Sequence, residues 1–164
     1  MFEKNQQLLN DIAFSLTDHM SDNNGASHFV DLTTGEITFI QNEYMFEEDE
    51  ITEEEINAYR DWEQDCIRTY LHHDLIKVDP IPSYESFRLM EDFVETRPRQ
   101  EQIHLYKSLN RKRPFACFRY ACEDLGILQQ WYDFKNEAES RQAQEWLSEN
   151  ALEIRDGKIV RSSK

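Results

Sequence analysis

The densest run of cations in this chain is Arg111-Lys112-Arg113, placed directly before Pro114. Proline is favoured as the first residue of a helix. The triplet is therefore expected at a helix N-terminus, where unpaired N–H groups, the helix dipole and guanidinium groups together can hold an anion such as phosphate. Arg119 follows on the same helix, and Arg97, Arg99 and Lys107 extend the basic stretch backwards. Phe115, Phe118 and Tyr120 lie close enough in sequence to stack a nucleotide base. Arg111, Lys112, Arg113 and Arg119 are the candidate anion-binding residues. The competing reading is that these cations neutralise the acidic surface of residues 43–65 or sit solvated on a helix face.

The second candidate has the opposite sign. Glu47, Glu48, Asp49 and Glu50 stand inside an acidic block from Glu43 to Glu55 and are candidates for docking a basic partner or for mimicking a phosphate backbone. Part of the block has a local explanation. Thr52-Glu53-Glu54-Glu55 is a capping box, and acids suit the positive end of a helix dipole. The block lacks the Asp-x-Asp-x-Asp-Gly spacing of calcium loops.

His72-His73-Asp74 invites a metal, but adjacent helical residues point about 100° apart and a shared face needs i,i+4 spacing. A helix C-terminus, where histidine suits the dipole, is the simpler reading. His19, His28 and His104 read as isolated. There is no Gly-x-Ser-x-Gly and no Gly-rich phosphate loop. Cys66, Cys117 and Cys122 fall on or near apolar stripes, where cysteine is usually inert core. The pairs Glu91/Asp92 and Glu123/Asp124 are adjacent on helices and diverge. No catalytic residue, metal or cofactor is expected, and a hydrolytic enzyme ranks last among the functional readings.

The elements that must carry these residues follow from periodicity. Leu8, Ile12, Leu16 and Met20 predict an N-terminal helix. Ser21-Asp22-Asn23-Asn24-Gly25 reads as a loop. Residues 28–32 and 36–40 read as strands joined by Thr33-Thr34-Gly35 in a hairpin. The helix after Thr52 carries Ile56, Tyr59, Trp62, Cys66 and Tyr70 on one stripe and runs to about His73. Residues 75–79 predict a third strand, stopped by Pro80-Ile81-Pro82. Ser83 is expected to cap a helix bearing Phe87, Met90 and Val94. A short helix over 99–110 turns Ile103, Tyr106 and Leu109 inward. The helix led by Pro114 buries Phe115, Phe118 and Cys122 and stops at Gly126. A longer helix carries Trp131, Phe134, Ala138, Ala143, Trp146 and Leu147, with its stripe interrupted at 139–142. Asp156-Gly157 predicts a type I′ hairpin in the tail. The fold class is α+β: mostly helical, with a small antiparallel sheet from the N-terminal hairpin, open to residues 75–79 and the C-terminal hairpin. The chain reads as a single domain over 1–164, with an acidic loop and helix start at 43–55 and a tail at 151–164.

The 164 residues hold 33 Asp plus Glu against 18 Lys plus Arg, a formal net charge of -15. Ten Phe, seven Tyr and three Trp argue against disorder. The charge disfavours non-specific DNA binding and anionic membranes. It is unevenly spread. Residues 1–96 hold 23 acids and 5 bases, residues 97–120 hold 1 acid and 7 bases, and residues 121–164 hold 9 acids and 6 bases, giving -18, +6 and -3. No apolar run approaches the about 20 residues of a membrane span. No signal peptide is visible, and three unframed cysteines suit a reducing compartment.

Six phrases, taken in order, carry a resemblance. They are Asp31-Leu32-Thr33-Thr34-Gly35-Glu36, Ile81-Pro82-Ser83, Met90-Glu91-Asp92-Phe93, Phe115-Ala116-Cys117-Phe118-Arg119, Trp131-Tyr132-Asp133-Phe134 and Glu145-Trp146-Leu147. Over roughly residues 27–150 they resemble the bacterial uncharacterised protein family 0158. The resemblance implies one domain and a bacterial cytoplasmic setting, and carries over no catalytic residue. Where members of that family tend to have a glycine-rich step, this chain has Asn110-Arg111-Lys112-Arg113-Pro114. The functional expectation is a soluble, cytoplasmic, non-enzymatic interaction or regulatory protein working through charge-segregated surfaces. Its partner is a protein or a second copy, joined head to tail through the +6 segment. The alternative is a module binding a small anion or nucleotide ligand at residues 97–119.

Overall fold

Asp18 decides where the first helix stops. Helix α1 (Phe2–Thr17) buries Leu8, Ile12 and Leu16 as their spacing predicts. Asp18 then leaves helical geometry (φ -86°, ψ 85°). Its carboxylate accepts the Ser21 N–H at 3.2 Å, as an N-cap does three residues ahead. A short helix α2 (His19–Asn23) follows in place of the expected loop, and Met20 is 73% exposed rather than the fourth member of the stripe. These elements belong to a computed structural model that describes residues 1–163. Residue 164, the end of the expected tail, lies outside the described residues.

Strand β1 (Ala26–Asp31) is buried along its whole length because it is the centre of an antiparallel sheet ordered β2-β1-β3. β2 (Glu36–Gln41) pairs with it from Ala26↔Gln41 to Asp31↔Glu36, and β3 (Leu75–Val78) from His28↔Val78 to Asp31↔Leu75. Side chains alternate across the sheet. Phe29 and Ile40 join Tyr44, Ile56 and Ile67 in a core cluster on one side. On the other, the Phe14 ring of α1 meets His28 edge-on at 5.8 Å, and His28 meets Phe39 at 4.9 Å.

The single helix expected after Thr52 is two. Helix α3 (Glu53–Asn57) starts with the Thr52/Glu55 capping box, a device worth about 1 kcal/mol. Helix α4 (Asp61–His72) starts anew at Arg60, whose N–H is taken by Glu63 Oε1 at 3.0 Å. The restart rotates the stripe, so Ile67 is buried and Trp62 is 52% exposed. The tail forms its own two-stranded ladder, β4 (Leu152–Arg155) with β5 (Lys158–Arg161), and does not join the larger sheet. Asp156 and Gly157 both have positive φ, as the type I′ reading requires. Ile159 N–H donates to Gly35 O at 2.8 Å. A Cβ at Gly35 would stand 2.6 Å from the Lys158 Cβ, so only glycine permits that approach.

These elements form one compact unit, Met1–Pro80 with Ala143–Lys164; residues Ile81–Gln142 form a second. In the second, helices α5 (Ser83–Glu95), α6 (Arg99–Leu109) and α7 (Pro114–Asp124) and the first turns of α8 (Leu128–Glu149) surround Met90, Phe93, Leu105, Phe118, Cys122 and Trp131. The Phe118 and Trp131 rings meet edge-on at 5.0 Å. α8 runs unbroken through residues 139–142. Pro82, not Ser83, is the residue before α5. Ile103 and Phe115, expected inward, are 54% and 49% exposed; Leu109 is buried as expected, and Leu105 fills that side of α6 in place of Ile103. The class is α+β, as expected. No helix among the described residues is long and apolar enough to cross a membrane.

Candidate functional site

Asp31, the last residue of β1, is 2% exposed and yet fully provided with donors. Its Oδ1 accepts the Thr33 N–H at 2.9 Å, and its Oδ2 lies 2.6 Å from His73 Nδ1. A carboxylate only accepts, so His73 donates from Nδ1. The turn is fixed from outside as well. Leu32 N–H donates to Asp74 O at 2.8 Å, and Asp74 N–H donates to Thr33 Oγ1 at 3.0 Å. The Asp31-Leu32-Thr33-Thr34-Gly35 phrase is thus a turn closed by its own aspartate and clamped to the end of α4.

His73 borders a groove of about 610 Å³ whose polar lining is Ser27, Asn42, Glu47, Tyr70, His73 and Lys77. Chemically this is a cleft with one oriented imidazole and mixed charge. Among the described residues no hydrogen bond joins Ser27 Oγ to His73, whose Nδ1 is engaged by Asp31. No group of three metal-ligating side chains converges among the described residues.

Next to the groove runs the acidic segment. Its carboxylates divide into two sets. Glu50 Oε1 accepts the Glu47 N–H at 2.9 Å, Glu55 Oε1 the Thr52 N–H at 3.0 Å, and Glu63 the Arg60 N–H. Glu53 pairs with Arg68 at 2.6 Å. The Arg68 hydrogen bond holds the Glu53 carboxyl below the usual range, and the Arg60 N–H with the Tyr44 hydroxyl does the same for Glu63. Tyr44 is pushed up to about 12 by donating to that carboxylate at 2.8 Å. Glu47, Glu48 and Asp49 are exposed and form no ion pair among the described residues. The block is thus partly a set of backbone caps and partly free surface charge.

The basic residues are also divided. Arg97 is spent within its own unit, paired with Glu101 at 2.8 Å and lying 5.7 Å over the Phe93 ring. Arg119 lies 5.3 Å over Tyr120. Arg111, Lys112 and Arg113 form an exposed loop between α6 and α7, and Arg113 is left-handed (φ 56°) at the N-cap of α7. No side chain caps that helix start.

A family model for an uncharacterised protein family, UPF0158, matches residues 4–158. The chain belongs to UPF0158. A UPF0158 protein of Pseudomonas aeruginosa is 26% identical over 150 residues, which cover 88% of this chain and 83% of that relative. No solved structure matches significantly. The UPF0158 match includes the Asp31 turn, His73, the acidic segment and the basic loop, and extends on both sides of the stretch that carries the six phrases.

Sequence reading missed two histidine–aspartate pairs of this UPF0158 chain. His28 is not isolated: it is 9% exposed, and its Nε2 lies 2.8 Å from Asp18. His73 is not merely a helix-end histidine. Both partners are acids at the ends of elements, next to turn residues. That signal was present in Asp31-Leu32-Thr33-Thr34-Gly35, since an aspartate there is suited to accept N–H groups from its own turn.

Proposed function

We propose that this UPF0158 chain is a cytoplasmic, non-enzymatic interaction protein that docks a basic partner on the acidic surface of residues 1–80. The observation that carries this reading is where the charge lies. Residues 1–80 hold 19 acids and 4 bases, the whole net -15, whereas residues 81–142 hold 10 of each and residues 143–164 hold 4 of each. Within that segment Glu47, Glu48 and Asp49 project from a turn and pair with no cation among the described residues. Unneutralised charge of one sign attracts and orients a partner of the other, with a strong dependence on ionic strength.

The test is affinity capture from the native cell with the wild type and with a Glu48→Lys/Asp49→Lys variant, at low and high salt. The expected result is a basic protein retained by the wild type at low salt and lost both with the variant and at high salt. A partner set identical for the two proteins would refute docking at this turn.

A further inference from the structure

We propose that the β2 edge of the sheet is a self-pairing surface through which two copies of this chain form an antiparallel, two-fold dimer. The sheet ends in two edges of different character. β3 is four residues long, carries Lys77 and runs into Asp79-Pro80, the features that blunt an edge against pairing. β2 has six residues, Glu36-Ile37-Thr38-Phe39-Ile40-Gln41, with no lysine, no proline and no bulge in its register.

The backbone of β2 is open along that edge. Asn42 N–H donates to Gly25 O at 2.7 Å and Leu32 N–H to Asp74 O at 2.8 Å. Alternation from these bonds gives β1 residues 27, 29 and 31 to β2 and residues 28, 30 and 32 to β3. On β2, residues 36, 38 and 40 therefore bond inward, and the N–H and C=O groups of Ile37, Phe39 and Gln41 point away from the sheet. No described residue outside the ladder donates to or accepts from them. Their side chains share the face that carries His28, where Phe39 is 45% and Phe14 61% exposed.

Register and charge select a second copy as the occupant. Gly35 O is already taken by Ile159, so new pairing starts at Glu36. A two-fold axis at Phe39 uses the full length from there. It sets Phe39 against its own counterpart, Ile37 against Gln41, and Glu36 against Asn42, so no like charges face each other. The next residue outward, Glu43, arrives at Gly35, against which the Lys158 stem lies. Glu36 itself is bridged by Lys4 at 2.7 Å. In a segment of net -15, Ile37–Gln41 is an uncharged strand with acid opposite base at its ends. A basic partner has no electrostatic reason to choose it, and another copy can approach it without local repulsion.

Sedimentation equilibrium of the full chain, with amide exchange by NMR, tests this. The general repulsion between two acidic copies is screened by salt, so dimer should increase from about 50 mM to about 500 mM NaCl. Amides of Ile37, Phe39 and Gln41 should become protected as protein concentration rises. Phe39→Lys should be monomeric, and Phe39→Leu should still dimerise. A wild-type monomer at every concentration and salt level would overturn the proposal. So would a dimer that weakens with salt, or one whose Ile37, Phe39 and Gln41 amides exchange as in the monomer. None of these results bears on capture of a basic partner at Glu48 and Asp49.

Discussion

Asp18→Asn is the substitution whose energetic consequence can be worked most directly from the geometry. The carboxylate accepts Ser21 Oγ–H at 2.5 Å and the Ser21 N–H, and lies 2.8 Å from His28 Nε2. These contacts, the Ser21 hydroxyl first, hold its pKa at about 2 against an ordinary 3.8. A difference of nearly two units corresponds to about 2.5 kcal/mol of folding free energy at neutral pH. The side chain is 10% exposed, so solvent screens little of it. The folded-state value is depressed, so the contribution is complete above the unfolded value and disappears as pH falls through the folded one. Asp18→Asn should therefore cost about 2 kcal/mol at pH 7, and about half of that gap should be gone near pH 3. Urea unfolding of both proteins across the pH range, followed by circular dichroism, measures the difference while the acid sensitivity of other carboxylates cancels. A gap unchanged between pH 7 and pH 3, or no gap at pH 7, would refute the ionised carboxylate as its source.

Further outcomes follow from single positions. Gly126→Ala should cost only the left-handed backbone penalty of about 1–2 kcal/mol, since among the described residues nothing but its chain neighbours lies within 4 Å of its added carbon. Gly35→Ala carries the same penalty plus a collision with Lys158, so thermal melting should show the larger loss for Gly35→Ala. Burial pushes the Cys122 thiol up to about 12 and also raises Cys66. A thiol reagent at pH 8 should leave Cys122 unlabelled by mass spectrometry until denaturant is added. Phe118→Ala removes a fully buried ring in contact with Phe93 and Trp131 and should cost about 3–5 kcal/mol in chemical denaturation.

What the sequence made legible was local. The β1–β2 hairpin, the Asp156-Gly157 turn, Pro114 at a helix start and the Thr52 capping box all follow from short-range chemistry, and all are present. Two of the differences, at Met20 and Trp62, share one cause. A periodic stripe was carried across a residue that resets the helix: Met20 past Asp18, and Trp62 past Arg60, where a carboxylate takes an N–H three residues away and restarts the turn. The histidine pairs were hidden for a different reason. Asp31 and His73 are 42 residues apart, and nothing in either neighbourhood states that the end of α4 returns to the β1–β2 turn. The charge split was visible at once, but the structural use of Glu50, Glu53, Glu55 and Glu63 was visible only for Glu55.

The tail hairpin has a consequence for the order of assembly. Gly157 N–H donates to Asn5 Oδ1 at 2.8 Å, and Ile159 N–H to Gly35 O, so residues 157–159 complete contacts with residues synthesised well before them. The unit of residues 81–142 is continuous and has all its own core residues before the tail exists. Domains fold as units during synthesis, each when its own residues are available. Residues 81–142 should therefore acquire native structure first, with α1 and the sheet waiting for residues 152–161. A nascent chain arrested with residue 142 just outside the ribosome should resist protease over 81–142 and be cut within 1–80, and extending the exposed chain past residue 161 should abolish that cleavage.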